Sequence, residues 1–127
     1  MKAIYAIRCK TNGKMYIGKT DASRIPLRIN EHMDALKRNA HKSRDFQSDF
    51  NNFGKSNFEF YILEIYSSED LQMWKPDVVR EYEWMKKYRT TEADHGYNSN
   101  DFAAIAHIKA LENLIDFVEG LPPESTK

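Results

Sequence analysis

A single cysteine, four prolines and no long apolar run in 127 residues exclude several architectures at the outset. Cys9 alone can neither close an internal disulfide nor supply the usual cysteine and histidine set of a structural zinc site. A surface thiol or a small core residue is its expected role, and a reducing compartment follows. No stretch approaches the ~20 apolar residues that span a bilayer. Met1-Lys2-Ala3-Ile4-Tyr5 opens as a strand rather than as a secretory apolar segment. Cytoplasmic residence without a membrane partner is therefore expected. Repeats and low-complexity tracts are also missing, and the length suits one domain rather than a catalytic domain joined to an independent specificity domain.

Net charge is absent too, since 19 Lys and Arg residues offset 19 Asp and Glu residues. The distribution is uneven. Residues 1–56 hold twelve basic side chains against five acidic ones, and residues 57–127 hold seven against fourteen. Phosphates respond to local potential rather than to total charge, so the N-terminal half is the one suited to face a polyanion. Charge runs also occur on merely solvated faces, and this feature does not decide alone.

The chain reads as α+β. Asn12-Gly13 sits between two apolar runs and tolerates positive φ at both central positions of a hairpin turn, which predicts antiparallel strands over 3–9 and 14–18. Ile25, Ile29, Met33 and Leu36 recur at helical spacing around Pro26, a residue accepted in a first turn. Phe46, Phe50 and Phe53 mark a second helix between a capping Ser43 and a terminating Gly54, with the phenylalanine stripe in the core. Residues 57–65 read as a strand, and apolar side chains on both of its faces suggest a central position in a small three-stranded antiparallel sheet flanked by helices. A helix is expected over about 76–89, with a kink or short helix before Pro76 and a loop over 90–98 after it. Beyond Asn100, the residues Ile105, Ile108, Leu111, Ile115 and Val118 predict an additional C-terminal amphipathic helix. The expected division is a domain over 1–98 and a helix and tail over 99–127, packed on that domain or used for dimerisation.

Two tyrosines on the paired strands organise the functional reading. Ala3-Ile4-Tyr5 and Tyr16-Ile17-Gly18 are followed by Arg28-x-x-x-His32, by His41, by Phe46-Gln47, by Asn52-Phe53-Gly54 and by a strand from Phe58 to Glu64. Arg80-Glu81-x-x-Trp84-Met85 and Gly96-Tyr97-Asn98 complete the series. In this order the motifs resemble the GIY-YIG nuclease superfamily, nearest to the catalytic domains of phage and intron-encoded, homing-type endonucleases. The resemblance spans residues 3–98. One departure stands out, because Ala3 replaces the family's first glycine.

Arg28 and His32 lie four apart, so on a helix they share a face one turn apart, and Arg24 extends the row. A guanidinium stays charged and its fork matches two phosphoryl oxygens, which makes Arg28 the phosphate clamp and Arg24 its fallback. His32, with an ordinary pKa of about 6.5, is suited to pass a proton. A phenol ordinarily titrates near 10, and each unit of depression takes about 1.36 kcal/mol, part of which Lys19 is placed to supply. The resemblance implies that Tyr5 is the general base or water-orienting group. It makes Tyr16 the partner of Tyr5 or a hydrogen-bond donor to phosphate, and Glu81 the ligand of a magnesium ion that manganese can replace. Glu83 and Glu64 are the rival carboxylates. Asn98 would orient a tyrosine or the attacking water, or else cap a loop, and His41 would touch the DNA backbone or lie idle on the surface.

The function expected from these residues is metal-dependent DNA endonuclease activity in a phage or mobile-element setting. The protein would act as a monomer or as a homodimer through the C-terminal helix. A non-catalytic DNA-binding module and a protein-interaction module on the same fold are the alternatives.

Overall fold

A computed structural model describes residues 1–67, 76–99 and 113. Three strands, β1 (Lys2–Cys9), β2 (Met15–Asp21) and β3 (Phe58–Tyr66), form one antiparallel sheet in the order β2-β1-β3. Between β2 and β3 lie α1 (Ile25–Lys37) and α2 (Arg44–Phe53), and α3 (Pro76–Tyr88) follows. The expected α+β class and three-stranded sheet are present. The expected short helix before Pro76 and the C-terminal helix lie outside the described residues.

Side-chain alternation in β1 divides the core. Tyr5, Ile7 and Cys9 join Tyr16, Leu36, Phe46 and Tyr97 on the face covered by α1 and α2. Ile4 and Ala6 join Met15, Ile17 and Tyr66 on the other face, against Trp84 and Met85 of α3. Cys9 is buried, which resolves its role in favour of core packing. Ala3 is fully buried as well, filling space behind the strand.

Two expectations about the sheet are corrected. β3 is an edge strand and β1 is the central one. The apolar content on both faces of β3 reflects helices above and below the sheet rather than a neighbour on each side, and Tyr61, Ile62 and Ile65 remain exposed at the edge. The hairpin loop runs over residues 10–13, closed by Cys9 N–H donating to the Lys14 carbonyl at 2.9 Å, and only Gly13 takes a positive φ, of 76°. Asn12 acts through its side chain, whose oxygen accepts from the Lys14 N–H at 3.0 Å.

The helix ends follow from local chemistry. Ser43 caps α2 by accepting from the Phe46 N–H, and Gly54, at φ 82°, ends it. Along the stripe burial declines, from a fully buried Phe46 through a partly buried Phe50 to an exposed Phe53. After α1, Asn39 at φ 57° reverses the chain and brings residues 40–43 back beneath the sheet. The 95–98 segment lies along the outer edge of β2, with a parallel bridge between Met15 and Gly96 and the Tyr97 N–H donating to the Met15 carbonyl at 2.9 Å. Gly96 is required there, since an added Cβ would stand 2.3 Å from the Thr90 Cα.

Candidate active site

A cleft of about 900 Å³ opens between the hairpin, the first turn of α2, α3 and the 93–99 loop. Tyr5, Tyr16, Lys19, Arg28, Glu81 and Asn98 all line it. Residues 93 positions apart at the extremes are thus brought to one concave surface by the sheet.

Tyr5 enters from the central strand with 1 % of its surface exposed. Its hydroxyl fits only because position 18 has no side chain: a Cβ on Gly18 would sit 2.3 Å from Tyr5 Oη and 2.4 Å from Cζ. Gly18 faces Tyr5 directly in the register, so the last residue of Tyr16-Ile17-Gly18 makes room for the last of Ala3-Ile4-Tyr5. The ring stacks on Phe60 and meets His32 edge-on, with centroid separations of 5.7 Å in both cases. Burial pushes the Tyr5 phenol up to about 12, against the opposing charge of the Arg28 guanidinium.

His32 projects from α1 as its spacing from Arg28 predicts, and its Nε2 lies 2.7 Å from Tyr5 Oη. It does not line the cleft wall. It stands behind Tyr5, 3 % exposed, with Nδ1 2.8 Å from His41 Nε2. Burial, assisted by the charges of Arg28 and then by His41 and Lys42, lowers its pKa to about 3. The expectation that His32 titrates near neutrality is corrected by this burial. His41 is likewise buried rather than placed for backbone contact, 4 % exposed and stacked on His32 with centroids 5.1 Å apart. Burial brings its pKa down to about 4. Tyr16 lies against both imidazoles edge-on, at 5.0 and 5.6 Å.

Arg28 presents its guanidinium to the cleft while also pairing with Glu31 at 2.9 Å. Arg24 does not extend this row. Residues 22–24 form a 3-10 turn and α1 starts at Ile25, so Arg24 faces a smaller adjoining cavity with Lys2, Asp21 and Asp77. Lys19 borders both cavities and stands 3.9 Å from Glu81 Oε1.

Glu81 points into the cleft from α3 with its side chain 24 % exposed, and burial raises its pKa against the opposing charges of Lys19 and then Lys42. A partly desolvated carboxylate with one long ion pair has coordination capacity to spare. Glu83 and Glu64 line a separate cavity around Arg80 and Trp84, where both pair with Arg80 and Glu64 also accepts from the Trp84 indole at 2.9 Å. Asn98 is a clamp: its oxygen accepts from the Ile17 N–H at 2.9 Å and its amide donates to the Ile17 carbonyl at 2.8 Å. Both polar ends are engaged in holding β2, as a loop cap would be, while the side chain also borders the cleft.

Lys42, Ser43 and Arg44 line the cleft at the start of α2 and were not anticipated as site residues. Two basic residues flanking a helix-capping serine were the available signal, because such a cap sets adjacent side chains and free N–H groups at one place.

A half-buried carboxylate, a guanidinium and a phenol facing one cleft rimmed by lysines define a phosphodiester-processing site on a small α+β domain. The chain belongs to the GIY-YIG catalytic domain family, whose family model matches residues 1–116. It is accordingly a nuclease domain. Among solved structures it is similar to the catalytic domain of the homing endonuclease I-TevI, with 29 % identity, a TM-score of 0.67, and coverage of 80 % of this chain and 100 % of that one. A glutamate-to-alanine mutant of the catalytic domain of intron endonuclease I-TevI is 32 % identical at a TM-score of 0.63, covering 80 % of this chain and 96 % of that one. A search of curated proteins returns no match.

Proposed function

We propose that the protein is a divalent-metal-dependent DNA endonuclease that hydrolyses one phosphodiester per visit to its cleft, in a phage or mobile-element setting. The observation that carries this reading is the convergence of Tyr5, Arg28, Lys19 and Glu81 on one cleft. The likeness to intron and homing endonuclease domains supports the setting.

Arg28 engages two phosphoryl oxygens, and Lys19, Lys42 and Arg44 draw the backbone into the cleft. Tyr5 is neutral in the free protein, so its first task is to orient the attacking water or a phosphoryl oxygen. It can serve as a base only as the phenolate, after giving up its own proton to solvent where added positive charge draws its pKa down. Tyr16 packs beside it and faces the same space.

Among the described residues, no three His, Cys, Asp or Glu side chains gather to hold a metal. A single carboxylate nevertheless suits magnesium, which keeps most of its waters and uses one or two protein carboxylates together with substrate oxygens. Glu81 is the residue that would hold it, with manganese as a substitute. When bound, the ion would supply positive charge against the scissile phosphate and the leaving oxygen.

One cleft serves one strand at a time. Cutting both strands therefore requires successive nicks or a second copy, for which residues 105–118 carry an apolar stripe in the sequence. The cytoplasm is the proposed location. Supercoiled plasmid incubated with Mg²⁺ tests the reading: the wild type is expected to yield nicked or linear DNA and Glu81→Gln none. Wild-type protein that binds plasmid without cutting it would leave a DNA-binding module instead, and protein that does neither would leave an interaction module.

A further inference from the structure

Three hydrogen bonds run in file from the cap of α2 to the hydroxyl of Tyr5. The Ser43 backbone N–H meets His41 Nδ1 at 3.0 Å, His41 Nε2 meets His32 Nδ1 at 2.8 Å, and His32 Nε2 meets Tyr5 Oη at 2.7 Å. The first of these has a fixed direction, because a peptide N–H only donates. His41 Nδ1 must then be bare, and a neutral His41 carries its proton on Nε2. That proton is donated to His32 Nδ1, which leaves the His32 proton on Nε2, where it is donated to Tyr5 Oη. The reverse arrangement would put a proton on His41 Nδ1, donor against donor with the Ser43 N–H.

We infer that Ser43 and His41 are positioning residues that hold His32 as its Nε2–H tautomer, so that Tyr5 Oη always accepts from His32 and turns its own hydroxyl hydrogen to the cleft. The Arg28 guanidinium borders the same cleft, and its positive charge acts on the same oxygen. Negative charge developing on that oxygen thus meets one donor, with a cation nearby.

The anchor is well secured. Ser43 Oγ donates to the Tyr97 carbonyl at 2.7 Å, and the His41 N–H donates to Gln47 Oε1 at 3.1 Å, while the Gln47 amide donates in turn to the Leu36 carbonyl at 2.9 Å. The groups facing the two rings are Tyr5 from β1, Tyr16 from β2, Arg28 from α1, Phe46 from α2 and Lys42. The charged members are cations, which favour neutral imidazoles.

The inference rests on the nuclease reading for what the arrangement accomplishes, but the proton positions can be read without substrate. Long-range ¹H–¹⁵N spectra of the full chain, labelled at histidine, are expected to show both rings protonated at Nε2 and bare at Nδ1 from pH 8 down to about pH 5. A proton on His32 Nδ1, or a cationic ring at either position in that range, would overturn it. His41→Gln keeps an amide donor toward His32, whereas His41→Phe removes it. His41→Phe is expected to lose the single His32 tautomer and about 10²-fold in kcat with KM unchanged, and His41→Gln to retain the tautomer and most of the turnover. A His41→Phe variant with His32 still solely Nε2–H and turnover intact would equally overturn the inference. Absence of cleavage by the wild type would count against the nuclease reading alone, since the spectra report the protons independently.

Discussion

Replacing Gly18 with alanine isolates the steric fit at the centre of the site. The backbone at Gly18 does not adopt a positive φ, so alanine brings no conformational strain of its own. The added methyl would stand 2.3, 2.4 and 2.9 Å from Oη, Cζ and Cε1 of Tyr5. That ring has little freedom to yield, being 1 % exposed, stacked on Phe60 and hydrogen-bonded to His32. Overpacking of this kind typically destabilises by about 1–3 kcal/mol, and displacing Oη from His32 adds a lost buried hydrogen bond of about 1 kcal/mol. The expected total of roughly 2–4 kcal/mol corresponds to a fall in Tm of roughly 6–15 °C for a domain of this size. Plasmid cleavage should fall by on the order of 10²-fold or more, because the displaced group faces the reacting phosphate. Thermal or urea denaturation reads the first quantity and nicking of supercoiled DNA the second. In a double-mutant cycle, Tyr5→Leu should recover about 1–2 kcal/mol of the Gly18→Ala loss, since a shorter side chain removes the clash. Additive effects of the two substitutions, or Gly18→Ala protein with wild-type Tm, would refute the reasoning.

Acid should destabilise the fold early. His32 and His41 have folded pKa values of about 3 and about 4, below an unfolded value of about 6.5. The unfolded chain therefore binds more protons as pH falls below 6.5, and unfolding free energy should drop by up to about 2.7 kcal/mol per pH unit for the pair. Urea titrations at pH 6.5, 6.0, 5.5 and 5.0 check this, and a flat profile would contradict the burial of both rings. Asn98→Ala removes both bonds to Ile17, and its expected loss is about 2 kcal/mol in stability with reduced turnover and little change in DNA affinity; an affinity loss with stability unchanged would make Asn98 a DNA contact instead. Duplex affinity should decline with salt at a log–log slope of roughly −4 to −5, as for about five phosphate contacts, and a slope near zero would leave the basic rim without a role in binding.

Much of this was legible because it depended on local rules. The alternating apolar residues of β1, the Ser43 cap and the Gly54 stop each act over a few residues, and the structure follows them. The four-residue separation of Arg28 and His32 set their shared direction from α1. What was not legible depended on long-range packing. β3 carries apolar side chains on both faces whether it lies at the centre or at the edge, so its composition did not reveal its place in the sheet. Burial of His41 follows from the reversal at Asn39, and the low pKa of His32 follows in part from that burial. The role of Gly18 was hidden because a glycine closing a motif does not reveal which side chain needs the space. The two bonds between Asn98 and Ile17 join residues 81 positions apart, a pairing that no local rule reveals.

In the proposed mechanism Glu81 and Arg28 act on the same phosphate. Crystals grown with duplex DNA and Mn²⁺, and measured for anomalous scattering from manganese, test it most directly. The expected peak lies about 2.1 Å from a Glu81 carboxylate oxygen, with a DNA phosphate between it and Arg28. A peak at Glu64 or Glu83 beside Arg80, with Glu81 still paired to Lys19, would contradict it.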